Sequence, residues 1–284
     1  VINNSYNARL DRFSDRIVRG KIMAGDGTVL AETQVDADGN ETRVYYYGSV
    51  FDHAVGYSAK GKTGIEALAN FYLLTSHVNL LEQVGNELSG RKNPGDNVYT
   101  TLDAELQQAA YAALGDRKGV VIAMEPDTGK VLAMVSKPGY DPNTLLQDWD
   151  WLTDGGNGEG QLLNRATQGL YPPGSTFKIV TALEYMREHP GGYRDYQFDC
   201  SGVYVNGDYR IKCYHGTAHG HQDFTRSFAN SCNGAFSSLG LGLNLGAFRD
   251  TAKSLLFNSP LPITGLPYKQ SSDRKSTRLN SSHC

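Results

Sequence analysis

Residues 171–188 read YPPGSTFKIVTALEYMRE, and this segment gives the clearest indication of the fold and of a functional site. Pro173 and Gly174 interrupt the preceding chain, and helix-favouring residues follow, so a helix is predicted to begin near Ser175. Backbone N–H groups in the first turn of a helix are unpaired, and the helix dipole is positive there. Lys178 lies three residues further on, which brings its amine over the same face as the Ser175 hydroxyl.

Ser175 and Lys178 are therefore candidates for nucleophile and general base. Desolvation lowers the pKa of a lysine, and a neutral amine can take the proton of a serine hydroxyl. The bare S-x-x-K pattern has low specificity, because Ser272 and Lys275 match it too. The alternative for the four residues alone is an N-cap serine followed by a solvated lysine.

A second candidate is Ser231-Cys232-Asn233, which interrupts a helical pattern over 225–239. On a short turn, the Ser231 hydroxyl could relay a proton and the Asn233 amide could hold a substrate carbonyl. The S-x-N pattern alone is equally typical of a turn or a helix cap.

The flanking sequence predicts a mixture of strands and helices, and hence an α+β fold. In the first hundred residues, β-rich runs flank the turn signals Asp26-Gly27 and Asp38-Gly39. Apolar spacing predicts one long amphipathic helix over 64–88, and turn residues at 93–96 mark a domain boundary. Beyond it the sequence predicts a helix over 104–114 with Asp103 as N-cap, a hairpin from strands at 119–124 and 130–135, and the helices described above.

The composition excludes two classes of function. The chain of 284 residues has 27 basic and 30 acidic side chains, a formal charge of −3, so nucleic-acid binding through bulk charge is not expected. No run approaches the length of an apolar membrane-spanning segment. The chain starts at Val1 without a leader pattern, so any anchor is expected upstream of it.

Taken in order, these motifs resemble the transpeptidase domain of class B penicillin-binding proteins. YPPGSTFK (171–178) and SCN (231–233) match the first two active-site motifs, and GVVIAMEPDTGKVLAMVS (119–136) is typical of the same domain. RGKIMAGDGTVLAET (19–33) and VGYSAKGKTGIEALANFY (55–72) resemble the N-terminal pedestal of that family. The resemblance implies a pedestal or dimerisation-type domain over 1–97 and a partial, serine β-lactamase-like transpeptidase domain over 98–272.

The resemblance also implies an activity, the D,D-transpeptidase step that cross-links peptidoglycan stem peptides. Ser175 would form the acyl-enzyme with Lys178 as general base, Ser231 would relay a proton, and Asn233 would hold the substrate. β-Lactams would act as inhibitors, a membrane glycan polymerase is a possible partner, and the protein would work at the extracytoplasmic face of the bacterial membrane. No metal or organic cofactor is expected.

One family feature is not found in its usual place. The third motif, Lys-[Ser/Thr]-Gly, does not follow Asn233, and Lys62-Thr63-Gly64 is interpreted as a turn of the pedestal. The chain as written is therefore not expected to turn over a stem-peptide substrate. Two alternatives remain open: a serine β-lactamase or β-lactam sensor, and a non-catalytic module that binds a membrane glycan polymerase.

The cysteines invite a zinc interpretation that their spacing does not support. Cys200 and Cys213 precede three histidines, His215, His219 and His221, but the spacing fits no compact zinc motif. Since the resemblance implies an extracytoplasmic protein, a disulfide between Cys200 and Cys213, or two free thiols, is favoured over a metal. Cys232 is interpreted as a small buried side chain.

The C-terminal segment 273–284 is expected to be an artefact. DRKSTRLNSSH (273–283) matches, codon by codon, one reading frame of a common sequencing-library adapter. The alternative is a basic, serine-rich disordered tail. The segment is therefore left out of the functional prediction.

Overall fold

The computed structural model describes residues 14–154, 159–261 and 265–272. Two compact units comprise, respectively, residues within 1–169 and 264–269, and residues within 170–263 and 270–284. No helix in the described part of the chain is long and apolar enough to cross a membrane. The tail that resembles an adapter lies outside the described residues, so its interpretation stays a prediction.

The strands of the first unit form a four-stranded sheet and two strand pairs. They are β1 (Ile17–Val18), β2 (Ile22–Met23), β3 (Val29–Val35), β4 (Glu41–Tyr45), β5 (Asn93–Pro94), β6 (Val98–Tyr99), β7 (Gly119–Met124) and β8 (Val131–Lys137). The sheet has the order β4-β3-β2-β6, while β1 pairs with β5 and β7 with β8. The Asp36 carboxylate accepts hydrogen bonds from the backbone N–H groups of Asp38 (2.9 Å) and Asn40 (2.8 Å), which closes the predicted turn between β3 and β4.

The helices of the first unit are short apart from the one predicted over 104–114. They are α1 (Asp52–Val55), α2 (Gly64–Leu68), α3 (Asn70–Leu73), α4 (Leu80–Leu88), α5 (Ala104–Leu114), α6 (Leu145–Thr153) and α7 (Arg165–Gln168), with a 3-10 turn at Gly48–Val50. The Asp103 carboxylate accepts from the backbone N–H of Leu106 at 2.9 Å, and Gly115 follows the helix with a φ of +55°. Both predicted ends of α5 are confirmed.

The prediction of one long helix over 64–88 is wrong. Three helices occupy this stretch, and the chain between α3 and α4 is held by other partners. The hydroxyl of Thr75 donates to the carbonyl of Phe71 (2.7 Å), and the Thr75 carbonyl accepts from the backbone of Asp96 (2.8 Å). Asn79 then caps α4 by accepting from Glu82 at 2.9 Å. Apolar spacing continues across the break, so periodicity alone could not show it.

A buried ion cluster connects α2 to strand β4 and to the segment between β1 and β2. Glu66 has no exposed surface, and its carboxylate binds Arg19 Nε at 2.6 Å and Arg43 Nε at 2.8 Å. The hydroxyl of Tyr45 donates to the same carboxylate at 3.2 Å. Burial disfavours the charged carboxylate, but the two arginines outweigh that effect and lower the pKa of Glu66.

The second unit carries the helix predicted from YPPGSTFK. Its elements are a 3-10 turn (Gly174–Phe177), α8 (Lys178–Glu188), a 3-10 turn (Tyr193–Asp195), β9 (Gln197–Cys200), β10 (Val203–Asn206), β11 (Tyr209–Lys212), a 3-10 turn (Tyr214–Gly216), β12 (Gly220–Asp223), α9 (Phe224–Ala229), α10 (Asn233–Gly242) and α11 (Leu245–Ser254). β9 pairs with β12 and β10 with β11, both antiparallel. α8 packs against α10 and α11, and α10 also contacts β10 and β11. The mixed content of the two units confirms the α+β class.

Candidate active site

The helix that bears Ser175 begins as predicted, with a tighter first turn. Gly174 has a φ of +54°, which glycine adopts without strain, and a 3-10 turn leads into α8 at Lys178. The Thr176 hydroxyl donates to the carbonyl of Pro173 at 2.6 Å and fixes this turn. Ser175 is exposed, and Lys178 Nζ lies 3.2 Å from its Oγ.

Lys178 also reaches the second motif. Its Nζ lies 2.9 Å from Ser231 Oγ, 2.7 Å from the Ser231 carbonyl oxygen and 2.6 Å from Asn233 Oδ1. The structure thus brings the other three predicted site residues, Ser175, Ser231 and Asn233, around the Lys178 amine. The two motifs belong to different helical segments, so the number of residues between them does not determine how close their side chains lie.

The partners of Lys178 define what a neutral amine would do here. The Ser231 carbonyl and Asn233 Oδ1 can only accept hydrogen bonds, whereas hydroxyl groups can donate or accept. A neutral amine has two N–H groups and one lone pair. When the N–H groups serve the two obligatory acceptors, the lone pair is left for the hydroxyl of Ser175 or Ser231.

The surroundings of Lys178 favour that neutral form. Partial burial desolvates the ammonium group and lowers the pKa of Lys178, and electrostatic interactions with the nearby Cys232 and Cys213 offset part of this effect. The ring of Phe236 lies beneath the amine, with its centroid 5.8 Å from Nζ. The neutral amine, which can accept a proton, is therefore present at a lower pH than in a solvated lysine.

The turn between α9 and α10 orients the second motif. Ser231 has a φ of +48°, a left-handed conformation that few residues other than glycine adopt. Its N–H bonds the Phe228 carbonyl at 2.9 Å, and the Cys232 thiol caps α10 by accepting from the N–H of Ala235 at 3.4 Å. The side-chain amide of Asn233 donates to the Lys212 carbonyl at 2.9 Å, which fixes the direction of its Oδ1.

The three cysteines of the second unit lie together and are free thiols. The sulfurs of Cys200 and Cys213 are 3.6 Å apart, too far for the disulfide that was one of two predicted alternatives, so the structure shows the other. Cys232, with no exposed surface, is the buried side chain that the sequence predicted. Burial raises the pKa of Cys232, whereas in Cys200 hydrogen bonds from His219 and Gly202 outweigh burial and lower the pKa.

Of the three histidines, His219 alone joins the cysteines. Its Nδ1 lies 3.3 Å from Cys200 Sγ. His221 instead bonds Asp199 at 2.8 Å, and the ring of His215 packs against Tyr214. Within the described residues, these three cysteines and His219 are the group whose side chains could hold a metal ion.

The Lys62-Thr63-Gly64 sequence lies in the first unit, in the chain that leads into α2. Gly64 has a φ of +55°, and a side chain on Gly56 would begin 2.0 Å from the Thr63 carbonyl oxygen. This tight backbone packing agrees with the interpretation of these residues as a turn.

Sequence reasoning missed two groups that shape the site. The backbone carbonyl of Lys212 accepts from the Asn233 amide, and the Phe236 ring lies 5.8 Å from the Lys178 amine. A carbonyl contact leaves no trace in residue identity. Phe236 could have been found, because it lies three residues after Asn233 and therefore on the same face of a predicted helix.

Comparison with known proteins identifies the family. Residues 119–283 match the penicillin-binding-protein transpeptidase domain, and residues 19–98 match the penicillin-binding protein A dimerisation domain. The peptidoglycan D,D-transpeptidase PbpA of Mycobacterium tuberculosis is 32% identical over an alignment of 281 positions, gaps included, that covers 92% of this chain and 56% of that protein. The MrdA D,D-transpeptidase of Escherichia coli K12 is 30% identical over 71% of this chain and 37% of that protein. The chain thus spans about half the length, or less, of these relatives.

Solved structures agree with the sequence comparison. The penicillin G acyl-enzyme complex of penicillin-binding protein A from M. tuberculosis has a TM-score of 0.77 at 32% identity, covering 89% of this chain and 62% of that one. The D,D-transpeptidase domain of a peptidoglycan glycosyltransferase from Eggerthella lenta has a TM-score of 0.78 at 31% identity, covering 91% and 58%. The transpeptidase domain match extends over more than half of this chain, and the chain therefore belongs to the class B penicillin-binding proteins.

Proposed function

We propose that this chain carries the serine acyl-transfer centre of a D,D-transpeptidase that cross-links peptidoglycan stem peptides. The observation that carries the proposal is the position of Lys178 Nζ, 3.2 Å from Ser175 Oγ and 2.9 Å from Ser231 Oγ. One partly desolvated amine is thereby within proton-transfer distance of a nucleophile and of a relay. The names of the relatives, peptidoglycan D,D-transpeptidases, support the substrate class.

In the first step, Ser175 Oγ attacks the carbonyl carbon of the penultimate D-Ala of a stem peptide. Neutral Lys178 accepts the hydroxyl proton as the new C–O bond forms. The peptide bond then breaks, the terminal D-Ala leaves with a proton, and the remaining peptide is an ester on Ser175. Ser175 is suited to this role because it is exposed in the first turn of its helix.

Ser231 and Asn233 complete the centre. The Ser231 hydroxyl, in contact with Lys178, passes the proton to the leaving amine. The Asn233 amide nitrogen has two N–H groups; one binds the Lys212 carbonyl, and we assign the second to a carbonyl of the substrate backbone. An amine from a neighbouring stem peptide then attacks the ester, and the same groups return the proton to Ser175.

The same chemistry accounts for β-lactam binding. A β-lactam presents a strained amide to Ser175, and ring opening leaves an ester that retains the leaving amine. A solved relative at 32% identity is a penicillin G acyl-enzyme complex, which supports this part of the proposal.

We assign the region over 1–97 to a pedestal that binds a membrane glycan polymerase, and 98–272 to the transpeptidase domain. The match of residues 19–98 to a dimerisation domain supports a role in assembly for the first region. Peptidoglycan lies outside the cytoplasmic membrane, so the proposed substrate places the protein on the extracytoplasmic face, held by an anchor upstream of Val1.

The test is acylation by a fluorescent penicillin, followed by intact mass and peptide mapping. We expect one adduct, located on Ser175, and its loss in Ser175→Ala. The matched control is Ser272→Ala, which removes the serine of one of the chain's two other S-x-x-K patterns and is expected to leave the adduct unchanged. Absence of any adduct at saturating penicillin, or an adduct that persists in Ser175→Ala, would contradict the proposal.

A further inference from the structure

The turn that follows α11 has an unfavourable backbone conformation. Leu256 has a φ of +66° and Asn258 a φ of +56°, both in the left-handed region, which leucine rarely adopts. The N–H of Asn258 donates to the Ser271 carbonyl at 2.9 Å. Phe257, whose side chain is half-buried, lies between these two residues. A conformation of this kind persists only where the contacts formed around it compensate for the strain.

Backbone hydrogen bonds show that this turn is the C-terminal cap of α11. The N–H of Leu256 donates to the Lys253 carbonyl at 2.8 Å, and the N–H of Phe257 donates to the Ala252 carbonyl at 3.1 Å. These two bonds define a Schellman motif, in which the left-handed residue is usually glycine. With leucine at that position, the motif depends on the packing of its neighbours, and Phe257 is the nearest of them.

The Phe257 ring packs edge-to-face against Phe177, the residue directly before Lys178. The two ring centroids are 5.4 Å apart with 89° between the ring planes, and Phe248 of α11 makes a similar contact with Phe177 at 5.9 Å and 80°. Edge-to-face pairs at such distances are favourable beyond the area they bury. Within the described 3-10 turn Gly174–Phe177, Phe177 is half-buried and the other three residues are exposed. Phe177 is thus the side chain through which this turn is held.

α11 is fixed along α8 by polar contacts as well. The buried Thr251 hydroxyl donates to the buried Glu184 carboxylate and accepts from Arg187 Nη1 at 2.7 Å. The N–H of Asn244, which caps α11, donates to Glu188 at 2.9 Å. The two rings that contact Phe177 therefore stand on a helix that is itself held in place.

We propose that Phe257 is a positioning residue for the acyl-transfer centre, an inference that rests on the function proposed above for Ser175 and Lys178. Together with Phe248, its ring holds Phe177 and so fixes the turn that directs the Ser175 hydroxyl toward Lys178. Phe257 acts through Phe177 and not on the reacting groups.

The nucleophile depends on this contact more than the base does. Lys178 Nζ is also held by the second motif, through the Ser231 carbonyl at 2.7 Å and Asn233 Oδ1 at 2.6 Å. The position of the exposed Ser175 hydroxyl follows that of its own 3-10 turn. Rotation of the turn would lengthen the 3.2 Å distance from Ser175 Oγ to Lys178 Nζ, and a displacement of about 1 Å lowers a rate by about a hundredfold.

The first test is the rate constant of acylation of Phe257→Leu at saturating fluorescent penicillin. We expect it to fall about ten- to a hundredfold, while the fraction of chain finally labelled and the pH dependence of the rate stay as in wild type. A merely structural role would lower the labelled fraction through unfolding and leave the rate constant of the folded chain unchanged. Phe257→Tyr keeps the ring and should retain the wild-type rate constant. Tyr193→Leu is the matched control, because it removes a half-buried ring whose edge-to-face partner is Phe224.

Hydrogen exchange of backbone amides tests the same contact without any need for activity. In Phe257→Leu we expect faster exchange in a peptide over 171–180, where the Thr176 N–H bonds the Pro173 carbonyl at 3.2 Å, and unchanged exchange in β9 and β12 of the same unit. Tyr193→Leu should leave exchange over 171–180 unchanged. Where Phe257→Leu fails to fold, shown by rapid exchange in β9 and β12, Phe248→Leu removes the other ring contact to Phe177 and should give the same pattern.

The two measurements separate this inference from the proposed function. A wild-type chain that forms no adduct contradicts the proposed function, and hydrogen exchange then decides the inference by itself. Unchanged exchange over 171–180 in a folded Phe257→Leu, or acylation of Phe257→Leu with the wild-type rate constant, would overturn the inference.

Discussion

Replacing Lys178 with arginine separates proton acceptance from positive charge at the proposed active site. Lysine can present a lone pair to Ser175 after its N–H groups have bound the Ser231 carbonyl and Asn233 Oδ1. A guanidinium group has no acceptor and stays protonated at all accessible pH values. Lys178→Arg therefore keeps the charge and removes the base.

The expected loss follows from this difference. Proton transfer by a positioned side chain contributes about a hundred- to ten-thousandfold to a rate. At 1.36 kcal/mol for each factor of ten, that is about 3–5 kcal/mol of activation free energy. The second-order rate constant of acylation by a fluorescent penicillin should fall by this factor in Lys178→Arg. Lys253→Arg, the same change at an exposed lysine of α11, should leave it unchanged.

The dependence of the rate on pH gives the second measurement. Because desolvation lowers the pKa of Lys178 below its ordinary 10.5, and the deprotonated amine is the active form, wild-type acylation should rise with pH and level off below pH 10.5. Lys178→Arg should lack this rise. Acylation of Lys178→Arg at the wild-type rate with the same pH profile would refute the assignment of Lys178 as the base.

Three further substitutions test other parts of the structure. Ser231→Gly removes the proposed relay in a residue type suited to a φ of +48°, and should slow acylation about a hundredfold with no loss of thermal stability. Glu66→Gln leaves two buried guanidinium groups without their carboxylate, and should lower the free energy of unfolding in urea by about 3–5 kcal/mol. Gly202→Ala would place a methyl group 2.2 Å from the Gly216 carbonyl at a φ of +89°, so it should cost about 1–3 kcal/mol, more than Gly207→Ala, where φ is also positive but the space is open.

Local signals in the sequence predicted where a helix begins and ends, but they did not predict whether a helix continues without a break. Asp103 and Gly115 bound α5 because a cap is a contact between near neighbours in the chain. The break between α3 and α4 depends on Asp96, which binds the Thr75 backbone from a distant loop. A distant partner of this kind cannot be inferred from a periodicity that runs through the break without change.

The candidate site was predictable to the extent that each motif is local. Ser175 and Lys178 face each other because they lie three residues apart on a helix, so their contact follows from sequence alone. The contact between Lys178 and Asn233 joins two helices, and only the resemblance to a family connected those motifs in advance. The thiol cluster, formed by the three cysteines and His219, was indicated neither by a local spacing nor by the resemblance, because its side chains come from four separate pieces of chain.

The three residues of the second motif combine a structural contact with contacts to the proposed catalytic lysine. Cys232 is fully buried and joins the thiol cluster, while Ser231 and Asn233 on either side of it contact the Lys178 amine. A residue anchored between two others fixes the direction of both, and the left-handed conformation of Ser231 needs such an anchor because it is unfavourable by itself. The thiol cluster and the proposed acyl-transfer centre therefore share the rigidity of a single turn.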